Sequence, residues 1–363
     1  MKRQNNLYEK LISDDNLRQA IYEVNRTHRW CKHHRPNRTV LWVEKDIDAR
    51  VEELRQMIED GFTPNPMKVR QRYDRSAGKW REINEPLLYP DQYIHHALVQ
   101  VLQPVFLRGM DKFCCGSIKG RGPHYGKRYI QRWVRRDIKG TKYCAELDIR
   151  HFYQSLTPEV VMERMRKLIK DRRVLDLIER ITADGIKIGC YTSQWFANVV
   201  LQPLDMQIRQ SRNKPTHYVR YMDNFTLFHS NKRKLRRLIR EIESWLIIHD
   251  LELKSNWQLF PVSKRLPNAL GFRYGRTYTL LRKKNLLRIK RTIRRAEKRL
   301  SKHKRISPSH ASDVLSSIGN FKHWSSENIR DKYVRQGITK ELKVIVRKHS
   351  KKEMIKWNMC LAS

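Results

Sequence analysis

The sequence predicts an α+β protein, and three observations carry that expectation. Residues 67–73 and 80–83 alternate between apolar and polar side chains on either side of Ser76-Ala77-Gly78, the pattern of a β-hairpin. Residues 143–149 and 218–227 are short apolar strand segments that end or turn at an acid, Asp148 and Asp223. Between and around them, apolar residues recur at helical spacing over much longer stretches.

Taken in order, Leu7, Leu11, Leu17 and Ile21 make residues 1–30 helical. A second helix over 46–61 starts near Asp46 and stops at Gly61. The hairpin follows, then a helix from Asp91 to about Leu107. A glycine-rich basic loop, Lys119-Gly120-Arg121-Gly122-Pro123-His124, leads into a basic helix over 127–136. After the strand at 143–149 come helices over 158–170 and 174–183, a loop over 185–189, and a helix from Thr192 to about Arg209. The segment 218–227 reads as two strands broken at Asp223-Asn224, followed by a helix over 232–248 and a strand over 251–254. Between Arg282 and Arg305, 13 of 24 residues are Lys or Arg and only Glu297 is acidic. Leu286, Ile289, Ile293, Ala296 and Leu300 still form one apolar seam there, so this stretch is an amphipathic helix with a basic remainder.

Charge narrows the partner. The chain of 363 residues has 77 Lys and Arg against 37 Asp and Glu, a net charge of +40. Self-repulsion on that scale calls for a polyanion and argues against an ordinary enzyme of small metabolites. No apolar run approaches the ~20 residues of a spanning helix, and no signal-peptide core follows the basic N-terminus. Nucleic acid is therefore the expected partner, and no membrane is. Hydrophobic residues are 39% of the chain, low for a globular protein, but nine Trp, 15 Tyr and 10 Phe suffice for a core and for base stacking. Six scattered cysteines form neither a disulfide framework nor a zinc ribbon, which points to a reducing compartment and the cytoplasm. The run His28-Arg29-Trp30-Cys31-Lys32-His33-His34 is too tightly spaced for a metal site and reads instead as a basic aromatic surface touching RNA.

The chemistry lies in the acids. A carboxylate at a buried strand end is costly unless a cation or hydrogen bonds accept it. Asp148 and Asp223 on adjacent strands would hold two divalent ions ~3.5–4 Å apart, the arrangement of two-metal phosphoryl transfer. Thr192, Ser193 and Gln194 open a helix after a glycine loop, a start that offers donors to a sugar–phosphate or base edge.

In this order the segments resemble the reverse transcriptases, and the resemblance covers nearly the whole chain. It implies a right-hand polymerase: an N-terminal helical extension over 1–37, fingers over 38–140, a palm with an antiparallel sheet over 141–265, and a primer grip with a basic helical thumb over 266–363. Leu147-Asp148-Ile149-Arg150-His151-Phe152-Tyr153 resembles motif A, with Asp148 as metal ligand and Tyr153 as the gate against ribonucleotides. Residues 189–198 resemble motif B, with Gln194 near the templating base or incoming nucleotide. Tyr221-Met222-Asp223-Asn224 resembles motif C, with Asp223 as the second metal ligand. Lys254 matches the motif D lysine that protonates pyrophosphate, and Leu270-Gly271-Phe272 matches the primer grip. Lys79 and Arg81 match residues that grip the triphosphate. By the same match Lys119, Arg121 and His124 of the glycine loop, and Arg282, Lys283, Lys284, Arg288, Arg291 and Arg295 of the basic helix, meet nucleic acid.

The Thr-Ser-Gln form of motif B and the glycine loop resemble a bacterial subgroup, the diversity-generating-retroelement and defence-associated (antiphage) enzymes. The resemblance implies RNA-directed DNA polymerisation with two Mg²⁺ ions or Mn²⁺, acting on dNTPs, a structured noncoding RNA template and a DNA primer or product. An accessory protein or a second copy is a further expected partner, and neither an RNase H nor an endonuclease domain is expected. One residue departs from the family: the third metal acid is Asn224, which keeps an oxygen but loses the charge. An active enzyme is expected, with an inactive RNA-binding scaffold as the competing reading. The retention of Asp148, Tyr153, Lys79, Arg81 and Lys254 weighs against the scaffold.

Overall fold

The computed structural model describes residues 2–30, 36–74, 78–302 and 304–362, without the side chains of Lys79 and of residues 360–362. The run at 28–34 therefore falls largely outside the described residues. The hairpin forms as expected, with β1 (Lys68–Asp74) antiparallel to β2 (Lys79–Glu85) in the register Asp74↔Lys79.

The centre is a four-stranded sheet of order β4-β5-β3-β6, made of β3 (Tyr143–Asp148), β4 (His217–Tyr221), β5 (Asn224–His229) and β6 (Gln258–Pro261). All its pairings are antiparallel. Alternation along the strands divides the side chains between its two faces. Ala145, Leu147, Tyr218, Phe225 and Leu227 join one apolar cluster, with the helices Tyr93–Leu107, Pro158–Arg166, Tyr191–Val200 and Lys232–Ile248. Cys144, Val219, Phe228 and Phe260 join a second cluster on the opposite face. That cluster includes a three-stranded sheet, β7 (Asn268–Ala269), β8 (Phe272–Tyr274) and β9 (Thr279–Leu281), and the seam Ile289, Ile293 and Ala296 of the helix Lys283–Leu300. The architecture is the α+β right hand expected from the sequence.

Two local expectations are corrected. Residues 251–254 form no strand, only a single antiparallel bridge between Ile149 and Leu253. Their would-be partner turns away: β3 ends at Asp148, and His151 is left-handed at φ 45°. The fourth strand is instead β6, paired through Tyr143↔Pro261 and Ala145↔Leu259. The helix expected over 192–209 is two helices, Tyr191–Val200 and Gln202–Gln210, because Pro203 starts the second. The segment before Asp46 is helical as well, Arg38–Lys45, capped by the Asn37 side chain on the Thr39 amide.

Candidate active site

Strand register brings the acids together. Asp148, the last residue of β3, pairs with Asn224, the first of β5, so Asp223 lies one residue before that pairing in the turn from β4. Two backbone bonds tie the turn and the 251–254 segment to this strand end: Ile149 N–H to the Asp223 carbonyl at 3.2 Å, and Lys254 N–H to the Asp148 carbonyl at 2.8 Å. The Lys254 ammonium donates to Asp148 Oδ2. Asp148 Oδ1 is buried and has no hydrogen-bond partner among the described residues. Burial, and then the Asp148 carboxylate, push the Asp223 carboxyl up to about 6, while Lys254 and the Asn224 amide pull the other way. That amide donates to Asp223 Oδ1 at 2.9 Å.

This donor set fits divalent cations. An anionic oxygen without a donor, next to a second carboxylate that its charge destabilises, is what a cation would relieve. Asp148, Asp223 and the exposed Asn224 are the residues that would hold it.

The residues expected to face the nucleotide converge partly. Tyr153 follows on the short helix Phe152–Ser155, and its phenol is pushed up by burial, then by the Asp223 and Tyr221 charges, and lowered by Arg81. Arg81 thus reaches the same field, although its Nε donates to Asp74 at 2.8 Å. Gln194 is exposed on the first turn of its helix, whereas Thr192 and Ser193 are buried and present nothing to a ligand. The loop before that helix seats on the hairpin: Asn84 N–H donates to the Ile188 carbonyl at 2.7 Å. Gly189, at φ +128°, lies so close that a Cβ there would stand 2.1 Å from the Asn84 carbonyl oxygen.

The Leu270-Gly271 turn has positive φ at both residues, 54° and 86°, as a two-residue hairpin turn requires. Leu270 packs where Gly126 has no side chain; a Cβ on that glycine would stand 2.5 Å from Leu270 Cδ1. Glu146, on β3 two residues before Asp148, accepts from the Asn268 amide and so joins this hairpin to the strand that carries the acid. The basic residues differ in how free they are. Lys119, Lys283, Lys284, Arg288, Arg291 and Arg295 are exposed. Arg282 is taken up by Asn268, Arg121 donates to the Asp111 carbonyl at 3.2 Å, and the His124 ring lies 3.9 Å from that of His323.

Sequence reasoning missed the support beneath the Asp223 turn. Arg220 is fully buried and holds Asp205 through two hydrogen bonds of 2.8 and 2.6 Å. Its Nη1 donates to the Met222 carbonyl at 3.0 Å and to Asn198 Oδ1 at 2.9 Å. Tyr218 O–H donates to Asp205 as well. Met222 is left-handed at φ 53°, and the Arg220 bond to its carbonyl holds that conformation. The signal was present: strand alternation puts Arg220 on the same buried face as Tyr218, where a guanidinium needs an acid.

Comparison with known proteins gives the family. Residues 70–263, more than half of the chain, match the family described as "Reverse transcriptase (RNA-dependent DNA polymerase)". Over 106 residues, 29% of the chain, it is 31% identical to nuclear intron maturase 1, mitochondrial, of Arabidopsis thaliana, and it spans 14% of that protein. Among solved structures, apo telomerase from Candida tropicalis matches with a TM-score of 0.49 at 11% identity, over 82% of this chain and 59% of that one. Telomerase from Candida albicans in complex with a fragment of telomeric RNA matches with a TM-score of 0.47 at 10% identity, over 91% and 66%.

Proposed function

We propose that this chain, which belongs to the reverse transcriptase (RNA-dependent DNA polymerase) family, extends a DNA primer on a structured RNA template with Asp148 and Asp223 as its metal-holding acids. The observation that carries this reading is Asp148 Oδ1, buried without a partner beside Asp223. The ions would be two Mg²⁺, with Mn²⁺ as the alternative; when bound, they supply activation of the 3′-hydroxyl and charge compensation on the leaving oxygen. Lys254, whose ammonium donates to Asp148 Oδ2, would give a proton to the leaving pyrophosphate. Arg81, released from Asp74, and Lys79 bind the triphosphate, Tyr153 excludes a 2′-hydroxyl, and Gln194 meets the nucleotide or its template base. Leu270, Gly271 and Phe272 seat the primer end, and the exposed cations of the helix Lys283–Leu300 track the duplex phosphates. On this reading the hand divides into an extension (1–37), fingers (38–140), palm (141–265) and thumb (266–363).

The biological setting we favour is antiphage defence in a bacterial cytoplasm, with a dedicated noncoding RNA as template. Asn224 supports it, as a mark of specialisation away from general copying. A diversity-generating retroelement is the alternative. Purified protein, its co-purifying RNA and labelled dNTPs test the chemistry in Mg²⁺ and in Mn²⁺. Incorporation that depends on Asp148 and Asp223 is the expected result. Absence of incorporation in both metals favours a second reading, an RNA-binding scaffold. The Asn224 amide on Asp223 and the Lys254 ammonium on Asp148 speak for that reading, because both acids then have donors without an ion.

A further inference from the structure

The helix Lys232–Ile248 carries a second cationic surface, apart from the one on Lys283–Leu300. Lys232, Arg233, Lys234, Arg236, Arg237 and Arg240 are all exposed, and no side-chain hydrogen bond or ion pair engages any of the six among the described residues. The helix rotation is fixed by Leu235, Leu238, Ile239 and Ile242, which are buried against the central sheet. The first turn holds no acid, so three cations stand at the positive end of the helix dipole, where they are disfavoured. The Asn231 side chain caps that end, accepting from the amides of Arg233 and Lys234 at 2.8 and 3.1 Å. Glu241, the nearest acid on the helix, is taken by Ser211 Oγ at 2.6 Å and Asn213 Nδ2 at 2.7 Å. The loop so anchored adds two more exposed cations, Arg212 and Lys214.

This surface cannot be served by a duplex in the catalytic cleft. The helix packs on the face of the sheet opposite to the one that carries Glu146 and the Asn268–Tyr274 hairpin. Its basic half follows His229, the far end of β5, about 17 Å from Asn224 at ~3.3 Å per residue. Among the described residues no exposed aromatic ring stands among the six cations to stack on a base. What the surface offers is a rigid row of guanidinium and ammonium groups, suited to phosphates held in fixed geometry.

We propose that this helix docks the phosphate backbone of a folded, double-stranded segment of the template RNA, outside the cleft. The proposal rests on the polymerase reading, which supplies the RNA. Its test compares the wild-type protein with the quadruple variant Arg233→Gln, Arg236→Gln, Arg237→Gln and Arg240→Gln. One probe is a primed linear RNA; the other is the same RNA carrying a hairpin of about 20 base pairs, enough to span a protein-sized contact.

The variant is expected to bind and extend the linear template as the wild type does, and to bind the hairpin-bearing RNA at least about tenfold more weakly. The log–log salt slope for the hairpin-bearing RNA should shrink by about 3, at ~0.7–0.9 per lost phosphate contact. Replacing the same four residues by Lys should restore most of the affinity and shows that the loss is one of charge and not of folding. Equal affinity of wild type and variant for the hairpin-bearing RNA would overturn the proposal, as would an equal loss on both probes. Competition by a DNA hairpin as effective as by the RNA hairpin would overturn the assignment to RNA. Failure of the wild type to extend the linear template would sink the polymerase reading alone, since the binding comparison needs no incorporation.

Discussion

Asp205, on the helix Gln202–Gln210, and Asp148, at the end of β3, carry the same side chain, and their surroundings are opposite. Both oxygens of Asp205 are occupied, by Nε and Nη2 of Arg220 and by the Tyr218 hydroxyl, and the group is sealed from solvent. Asp148 has Lys254 on one oxygen and nothing on the other, and it stands beside a second carboxylate. The first arrangement spends hydrogen bonds to make a buried charge tolerable and, through the Met222 carbonyl, shapes the turn that presents Asp223. The second leaves a buried oxygen unsatisfied beside another carboxylate.

That contrast breaks most directly at the unsaturated site. Asp148→Ala and Asp223→Ala should each lower nucleotide incorporation by about 10,000-fold or more, ~5.5 kcal/mol in the barrier. RNA binding should persist, and thermal melting should stay within a few degrees of the wild type, because Asp148→Ala removes an unsatisfied buried oxygen along with the Lys254 pair, and Asp223→Ala removes only the acceptor of the Asn224 amide. A large drop in melting temperature for Asp148→Ala would mean that this acid is structural after all.

At the saturated site the loss should appear in stability first. Arg220→Ala strands Asp205 and should cost about 3–5 kcal/mol in urea unfolding. The double variant Arg220→Met with Asp205→Leu should recover most of that stability. It should not recover full incorporation, since the Met222 carbonyl has lost its donor. Full activity in that double variant would show that the pair does not position the turn.

Gly189→Ala sharpens the comparison from the side of the hairpin. A methyl 2.1 Å from the Asn84 carbonyl oxygen, at a backbone angle that L-residues avoid, should cost about 1–3 kcal/mol. The loss should appear in the same unfolding measurement, with Asp148-dependent chemistry still detectable.

The smallest effect is expected from Asn224→Asp. A third carboxylate adds negative charge to a site that holds Asp148 and Asp223, and removes the donor from Asp223 Oδ1. The Mg²⁺ concentration for half-maximal incorporation should fall by roughly severalfold, with less change in Mn²⁺. An unchanged or higher Mg²⁺ requirement would make the Asn224 amide a working part of the site.

The outline of the site was legible from residues 143–149 and 218–227, because an acid closing an apolar strand is conspicuous against its neighbours. The hairpin and the basic helix were legible for a similar reason: alternation in one, and a single apolar seam among cations in the other, leave one way to bury each. The Arg220–Asp205 pair was half legible. The strand pattern demanded an acid for Arg220 without saying that it would come from the helix Gln202–Gln210.

What the sequence by itself determined was the order of the elements, their buried faces and the residue types at the candidate site, since periodicity and the penalty for burying charge act over a few neighbouring residues. The tertiary structure decided which distant segments meet. Residues 251–254 alternate like a strand, yet β3 turns away after Asp148, so they contribute one bridge, and β6 takes the edge instead. It also decided that Asp148 keeps a free oxygen while Asp205 keeps none. Both acids depend on donors from other elements, Lys254 for Asp148 at 106 residues' separation and Arg220 for Asp205 at 15. No local pattern encodes such a pairing, because hydrogen bonds are made by proximity in space and not by proximity in sequence.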